Sequence, residues 1–404
     1  MVLKIAWRNI WRSRTRSIVV IMAIMIGIWA VIFMMSFSNG MIESYIDNAI
    51  ETQISHIQLH NPDFDLDQES QFYFENASEL QAELSAQPEV EFATVRSLAT
   101  GMLSTSKGQR GVQIRGVNPI SEAKVTKLDT KLVEGEYLDP EQQNRILIGK
   151  GLAEDLNVKL HSKVVLTFQS MDGEILYAAF RINGLYQTDN SAYDESTVFI
   201  DQSDLNTLLG KENIGHEAAL LLQSTDMIGV VQNRLKAAHP ELMVKNYAEI
   251  SPEIELFNTQ MKMSSTIIIV IVMLALIFGI INTMLMAVLE RYKELGMLMA
   301  VGMNKLRVFF MIVFETIMLG LIALPLGLGL GYGSVQLLAE KGIDLSNYSK
   351  GMQEFGMSEI IYPSANTDLY LQLAFAVLFT ALLGSIYPAY KAIRLRPVEA
   401  MRKL

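Results

Sequence analysis

The chain has 404 residues, half of them hydrophobic, with 33 basic and 43 acidic side chains and a net charge of −10 at pH 7. This balance argues against a nucleic-acid-binding protein, which needs basic surface to neutralise phosphates. The chain has no cysteine, so its folded parts must be stable without disulfides.

Four apolar runs carry almost no charge, at residues 17–42, 263–289, 308–339 and 369–390. Each exceeds the roughly 20 residues that cross about 30 Å of hydrocarbon. The first run is longer than the apolar core of a signal peptide, and no small-x-small cleavage site follows it, which favours a retained span. The sequence therefore predicts an α-helical membrane protein with four transmembrane helices and a large α+β extracytoplasmic domain at residues 43–262.

Basic residues place three segments on the cytoplasmic side: residues 1–16, residues 290–307 and the tail at 391–404. Residues 43–262 contain 17 Lys and Arg against 34 Asp and Glu, and they are expected outside the cytoplasm together with residues 340–368. The basic side suits anionic membrane lipid.

Residues 1–16 predict an interfacial amphipathic helix, with a simple topology signal as the alternative. Basic and indole side chains would anchor it in the lipid headgroups; these are Lys4, Trp7, Arg8, Trp11 and Arg12.

Alternating and helical patterns divide the large domain. Strands are predicted at 56–60, 92–98, 164–168 and 175–182, helices at 203–210 and 227–238, and a barrel-like unit within 145–209. Asp172-Gly173 favours the turn of a hairpin. Helical stalks are predicted to continue the first span through residues 39–54 and to lead into the second span.

The third span contains closely spaced glycines and a single acid, Glu315. The glycines predict close helix packing, with a transport hinge as the alternative. Glu315 lies near the cytoplasmic end, where an inter-helix hydrogen bond or a cap is favoured over a proton or substrate site.

No enzymatic motif is present. The sequence lacks the Walker phosphate loop, the G-x-S-x-G elbow and the H-E-x-x-H zinc motif. Asp63-x-Asp65-x-Asp67 begins like a calcium loop, but Gln68 and Phe74 replace the required Gly and Glu. His56 and His60 lie in a predicted strand, so we predict no metal site and a non-catalytic chain.

The connector between the second and third spans resembles the coupling segment of the FtsX-like ABC permeases. It reads Glu290-Arg291-x-x-Glu294-x-Gly296-x-Leu298-x-Ala300-x-Gly302. The opening Ala6-Trp7-Arg8-Asn9-Ile10 and the ending at residues 396–402 are also similar to that family. Two further stretches, at residues 39–59 and 148–194, resemble its lipoprotein-releasing (Lol-type) members.

The resemblance implies a permease subunit with no cofactor of its own. ATP and Mg would be bound by partner ABC ATPase subunits. It also implies a second permease subunit, identical or paralogous, a bacterial inner-membrane location and lipoprotein cargo passed to a carrier. Two alternatives stay open: an efflux permease with a periplasmic adaptor, and a signal transmitter that activates an external hydrolase.

Two residue sets are implied by the resemblance. The ATPase-coupling set would dock through Leu295, Leu298 and Met299; its members are Glu290, Arg291, Lys293, Glu294, Leu295, Gly296, Leu298, Met299, Ala300 and Gly302. The substrate-cavity set comprises Ile32, Met35, Phe37, Met263, Ile267 and Ile271.

Overall fold

The computed structural model describes residues 2–64, 68–365 and 367–394. The chain divides into two compact units. The membrane unit contains the described parts of residues 1–42, 258–343 and 361–404, and the external unit contains those of residues 43–257 and 344–360.

The membrane unit contains four long helices, which agrees with the predicted fold class. Within the described residues, four helices are long and apolar enough to cross a membrane by length and composition. These first to fourth membrane helices are Arg14–Ala49, Pro252–Glu290, Lys305–Lys341 and Thr367–Ile393. The first continues into a π-helical turn at Ile50–Ile54, as the predicted stalk requires.

The N-terminal helix is shorter than predicted. It covers Val2–Arg12, and the first membrane helix begins at Arg14. The Ser17 hydroxyl donates to the Ile10 carbonyl at 2.7 Å. This bond satisfies a carbonyl that the break in the helix leaves without an intrahelical partner.

Glycines in the third membrane helix fall into two groups. A Cβ on Gly327 would lie 2.8 Å from Cβ of Ile28, and one on Gly331 would lie 3.1 Å from Cβ of Ile32. Gly329 and Gly333 have no such neighbour within 4 Å. The predicted close packing is therefore present at alternate glycines, where the first and third membrane helices meet.

Replacing Gly327 with Leu is expected to separate the first and third membrane helices, whereas Gly329→Leu is the matched control. Overpacking of a close contact costs about 1–3 kcal/mol. Trp29 donates to Ser334 across the same pair of helices at 3.1 Å, so tryptophan fluorescence during thermal unfolding in detergent reports the change. Equal melting temperatures for the two variants would contradict the packing argument.

The external unit contains a ten-stranded sheet, a separate two-stranded sheet formed by Phe74–Glu75 and Ile214–Gly215, and short helices. The strands are β1 Ile57–His60, β2 Phe74–Glu75, β3 Val90–Ser104, β4 Gln109–Val117, β5 Leu132–Gly135, β6 Arg145–Gly149, β7 Lys163–Gln169, β8 Ile175–Tyr186, β9 Thr197–Asp201, β10 Ile214–Gly215, β11 Glu217–Leu222 and β12 Met243–Asn246. The α-helices are Ala77–Ser85, Pro119–Thr126, Lys150–Asp155, Ser191–Ser196, Gln202–Leu209, Ile228–Ala238, Tyr247–Ile250 and Ser349–Glu354. Two-residue strands occur at Ile343–Asp344 and Ile360–Ile361.

Six strands of the sheet close into a ring. The pairing runs β3-β4-β9-β6-β8-β7 and returns to β3. The buried residues of its core include Leu103, Ile114, Ile148 and Leu166. A barrel-like unit was predicted within residues 145–209, but ring closure also needs β3 and β4 from residues 90–117. Long-range pairing of this kind leaves no local sequence signal.

The hairpin prediction is confirmed: β7 and β8 pair antiparallel, and Gly173 has a φ of +83° in the turn between them. The predicted helix at 203–210 is Gln202–Leu209, and Gly210, with a φ of +81°, ends it.

A second core lies where helices Ala77–Ser85 and Ile228–Ala238 contribute residues that pack with β1, β3, β11 and β12. β3 belongs to both cores because its first half pairs with β11 and its second half with β4 and β7.

Candidate functional site

The connector between the second and third membrane helices contains one short helix. The second membrane helix ends at Glu290, and the connector helix covers Tyr292–Ala300. Gly302 follows with a φ of +100°, which favours glycine. The Asn304 side chain then accepts from the Leu306 amide at 3.0 Å and caps the third membrane helix. The predicted 290–307 coupling segment is therefore a nine-residue helix with a turn on its C-terminal side.

The connector helix has an inner and an outer face. Leu295 is only 2% exposed and lies in the core of the membrane unit, and Met299, one turn later, packs against the same core. Met297 is 55% exposed and Val301 is 85% exposed, while Lys293 and Ala300 are also exposed. Spacings of three and four residues place this second group on one side of the helix.

This geometry corrects the predicted docking anchors. Leu295 packs inside the chain and, in this arrangement of the connector, is not available to fill a groove on another protein. Leu298 and Met299 are half-buried. Met297 and Val301 are the exposed large apolar side chains of the connector; the helical periodicity of the segment could have separated these two faces, but the family pattern emphasises other positions.

Arg291 and Glu294 of the connector, and Glu290 just before it, form ion pairs within the membrane unit. Glu294 pairs with Arg12, with one bond of 3.1 Å, and Glu290 pairs with Arg16. Arg291 lies 3.4 Å from Glu294 and 3.2 Å from Glu315. Glu315 thus contacts the turn before the connector helix, near the cytoplasmic end as the sequence favoured. Arg12, predicted as a lipid anchor, is paired with a carboxylate but is 67% exposed, so its contact with lipid stays a prediction.

The other predicted anchors are exposed on the N-terminal helix. Lys4, Trp7, Arg8 and Trp11 are all solvent-accessible, and the two indoles meet edge to face with centroids 5.9 Å apart. Ile10 is buried in the core of the membrane unit. The exposed set suits a headgroup layer, and its contact with lipid remains a prediction.

An apolar cavity of about 190 Å³ lies between the first and second membrane helices. Its lining residues are Val31, Met34, Met35, Phe37, Ser38, Met41, Met261, Ser264, Ser265, Ile268 and Ile269. Ser38 and Ser265 are hydrogen-bonded at 3.1 Å and join the two helices there.

The cavity includes Met35 and Phe37 but not the other predicted members. Ile32 is fully buried, near Gly331. Met263, Ile267 and Ile271 are exposed and do not line the cavity. The lining positions on the second membrane helix are 261, 264, 265 and 268. An offset of two residues turns a helix by about 200°, so Met263 and Ile267 lie on roughly the opposite side.

The external unit offers no metal cluster within the described residues. Asp65 and Asp67 of the calcium-like stretch, and residues 396–402 of the family-like ending, lie outside those residues. His56 Nδ1 accepts from the Leu222 amide at 3.0 Å, and the His60 ring contacts the His216 carbonyl and the Gln58 side chain. These contacts give both histidines structural roles.

Sequence patterns missed a buried charge cluster in the external unit. Arg96 is fully buried between Glu122, at 2.8 and 2.9 Å, and Glu217. Burial raises the pKa of Glu217, but Arg96 and Arg115 outweigh it and hold that pKa below its usual value. Arg115 also donates to the Gln53 carbonyl at 3.3 Å, in the π-helical turn that ends the first stalk. The cluster therefore joins β3 and β11 to the end of that stalk.

The burial of His216 predicts that the external unit loses stability in acid. Its Nδ1 accepts from the Leu98 amide at 3.1 Å, and Nε2 lies 2.9 Å from the Ser70 carbonyl. Burial lowers its pKa to about 4. Between pH 6.5 and 4 the unfolded chain binds this proton more tightly, so stability falls as the pH falls through that window.

His216→Gln is expected to make the loss of stability between pH 6.5 and 4 shallower. Hydrogen exchange of the β3 and β11 amides in increasing urea, repeated at several pH values, gives the urea midpoint of unfolding at each pH and so measures this slope. The exposed His161→Asn is the control, and an unchanged slope in His216→Gln would refute the assignment.

Comparison with known proteins identifies two matched regions. Residues 17–238 match the MacB-like periplasmic core domain, and residues 266–397 match the FtsX-like permease C-terminal region. Together they include the first membrane helix, most of the external unit and the connector.

Several relatives align with most of the chain. An uncharacterized ABC transporter permease, YvrN of Bacillus subtilis, is 22% identical over 99% of this chain and 98% of its own length. The lipoprotein-releasing system transmembrane protein LolE of Haemophilus influenzae is 19% identical over 80% of each chain. The macrolide export ATP-binding/permease protein MacB of a Shewanella strain is 25% identical over 68% of this chain, which spans only 41% of that relative.

Two solved structures are similar to part of the chain. The periplasmic region of MacB from Actinobacillus actinomycetemcomitans aligns with 52% of the chain and 97% of that structure, at 16% identity and a TM-score of 0.37. The extracellular domain of the transporter YknZ aligns with 47% of the chain and 99% of that structure, at 18% identity and a TM-score of 0.34.

Proposed function

Because the chain belongs to the FtsX-like ABC permeases and carries a MacB-like periplasmic core domain, we propose that it transmits the motion of a separate ATPase across the membrane. The observation that carries this proposal is the connector: a short helix between two membrane helices, with one face in the core of the membrane unit and the other exposed. A helix held in this way moves the membrane helices when it is pushed.

The outer face of the connector is the proposed docking surface for the ATPase. Met297 and Val301 supply apolar contact, and Lys293 supplies a charge at its edge. Helices commonly bind a groove through apolar side chains three or four residues apart. The ATPase would hold ATP and Mg, and its nucleotide states would favour different positions of the connector.

The proposed cargo is a lipoprotein extracted from the inner membrane. The cavity between the first two membrane helices is small and mostly apolar in its lining, and two of its three serines, Ser38 and Ser265, are hydrogen-bonded to one another. Such a lining suits an acyl chain better than a polar solute. The similarity to LolE, which covers 80% of this chain and 80% of LolE, supports this assignment.

Efflux with a periplasmic adaptor is the second candidate. The match of residues 17–238 to the MacB-like periplasmic core domain favours it, as does the similarity to macrolide export proteins. In that case the external unit would bind an adaptor and expel small molecules. Both functions use the same connector and differ in what the external unit and the cavity hold.

The proposal includes a location and an assembly. The membrane would be the bacterial inner membrane, with both termini cytoplasmic and the external unit periplasmic, because the basic N-terminal segment and connector belong inside. A second permease subunit, identical or paralogous, would complete the transporter. The cavity then faces that subunit or the lipid.

Purification of the tagged full chain from native membranes in mild detergent tests the proposal, with mass spectrometry of proteins and attached lipids. We expect an ATPase together with triacylated lipoproteins. An ATPase with an adaptor and no lipoprotein would establish the efflux alternative. An ATPase with an external hydrolase would indicate signal transmission, and the absence of any ATPase would refute the ABC assignment.

A further inference from the structure

Six charged side chains form a set of ion pairs around the connector. We name this set the charge clasp; its members are Arg12, Arg16, Glu290, Arg291, Glu294 and Glu315. Three are arginines and three are glutamates, so the set is balanced in charge. Its members come from the N-terminal helix, the starts or ends of the first two membrane helices, the connector and the third membrane helix.

Three of the ion pairs each join a different pair of segments, and the fourth, Arg291–Glu294, lies within the connector. Arg16, near the start of the first membrane helix, pairs with Glu290, the last residue of the second. Arg12, the last residue of the N-terminal helix, pairs with Glu294 of the connector helix. Arg291, just before that helix, reaches both carboxylate oxygens of Glu315, at 3.4 and 3.2 Å. The connector is thus held by the N-terminal helix and by the third membrane helix, and the end of the second membrane helix just before it is held by the first.

Burial makes part of the clasp costly to break. Glu290, the partner of Arg16, is 57% exposed, but the side chains of Arg16 and Arg291 are each 19% exposed and that of Glu315 is 8% exposed. Water screens such groups poorly, and removal of one partner leaves the other charge without compensation. The Arg12–Glu294 pair is more exposed, but Glu294 is shared with Arg291, which links it to the buried part.

We propose that the charge clasp makes Arg12 and Arg16 positioning residues, which transfer displacement of the connector to the first membrane helix. Without the clasp, a push on the connector would reach that helix through apolar contacts, which can slide, and through neutral hydrogen bonds such as Trp29–Ser334, which do not involve the connector. The first membrane helix runs without a break to Ala49, beyond the last membrane-unit residue of that segment at position 42. The direction of the push rests on the proposed function, whereas the mechanical link does not.

The first test measures the link without any ATPase. The chain has no cysteine, so Met297→Cys provides a single site for a nitroxide on the exposed side of the connector. The labelled full chain is placed in vesicles, and its spin-label mobility is measured. Arg16→Glu and Glu290→Arg are each expected to raise the mobility, and the double variant Arg16→Glu/Glu290→Arg to restore it, because the pair is re-formed with its charges exchanged.

Arg14 provides a matched control. It lies between Arg12 and Arg16, is exposed, and forms no ion pair with the residues that the structure describes. Arg12→Gln is expected to mobilise the connector, and Arg14→Gln is not. The clasp would be overturned if Arg12→Gln and Arg14→Gln changed the spin-label mobility equally, or if the label in the double charge exchange were as mobile as in its single variants. Either result would indicate that these arginines act only on lipid.

The second test uses unlabelled chains with the ATPase. The ratio of transport to ATP hydrolysis is expected to fall about 2- to 30-fold in Arg16→Glu, as for residues along a coupling network, and to recover in the double variant. A fall that the double variant does not reverse would contradict the proposal. If no ATPase partners the wild-type chain, the proposed function fails, but the mobility measurements still decide the clasp.

Discussion

Arg96→Met should destabilise the external unit by about 3–5 kcal/mol, the usual cost of removing one partner from a buried ion pair. The carboxylates of Glu122 and Glu217 would then remain buried without the guanidinium that lies between them. Methionine fills much of the same space, so the loss comes mainly from charge and hydrogen bonding. Because Arg96 lies on β3, which both cores share, we expect the whole external unit to be affected.

Hydrogen exchange of β3 and β11 in increasing urea measures this loss in the full chain. The three tryptophans, Trp7, Trp11 and Trp29, all lie in the membrane unit, so their fluorescence would miss it. Arg234→Met is the control, since Arg234 pairs with Glu89 at the surface, where ion pairs contribute little. Neutralising the carboxylates as well, in Arg96→Met/Glu122→Gln/Glu217→Gln, should recover much of the stability; no recovery would mean that the effect comes from packing.

The membrane unit could be predicted from the sequence in some detail because the bilayer imposes a strong and local rule. Some 20 apolar residues predict a span wherever they occur, and the four helices follow. Some boundaries were less accurate: the N-terminal helix predicted for residues 1–16 ends at Arg12, and the first membrane helix begins at Arg14. The continuation of that helix to Ala49, past Glu43 and Asp47, agrees with the stalk predicted over residues 39–54.

The side chains of the candidate site were harder to predict. Apolar residues are required both in a helix core and in a docking surface, so Leu295 and Met297 look alike in composition and differ only in the face they occupy. The same holds for Ile32 and Met35, of which only Met35 lines the cavity. Charge pairs such as Arg12–Glu294, 282 residues apart, depend on tertiary contact and have no sequence periodicity.

The external unit shows the same limit. Individual strands and the β7–β8 hairpin follow alternation and turn chemistry, which are local. Ring closure depends on β7 pairing with β3, some sixty residues earlier in the chain. Alternation with the apolar Ala93 and Val95 predicts a solvent-facing position for Arg96, but the strand is buried on both faces there. Only the two carboxylate partners of Arg96, from different elements, explain a buried charge at this position.

Met297→Asp combined with Val301→Asp should abolish co-purification of the ATPase and, with it, ATP-driven transport. Both side chains are exposed on the same side of the connector, so the change leaves the core of the membrane unit intact. In a desolvated contact each carboxylate would be buried without a partner, and single interface anchors of this kind contribute at least about 2 kcal/mol, or roughly 30-fold in affinity. Quantitative mass spectrometry of the purified complex gives the result.

Two further variants separate docking from folding. Leu306→Asp adds a carboxylate at another exposed apolar position, in the first turn of the third membrane helix, where the helix dipole tolerates it, and it should retain the ATPase. Leu295→Ala removes a side chain from the core; it should lower the melting temperature of the membrane unit, while the chain that stays folded still binds the ATPase. The opposite result would be loss of ATPase binding in Leu295→Ala without loss of thermal stability, together with normal ATPase binding in Met297→Asp/Val301→Asp. The ATPase would then contact the face that is buried here, and the connector would have to rotate about its axis to dock.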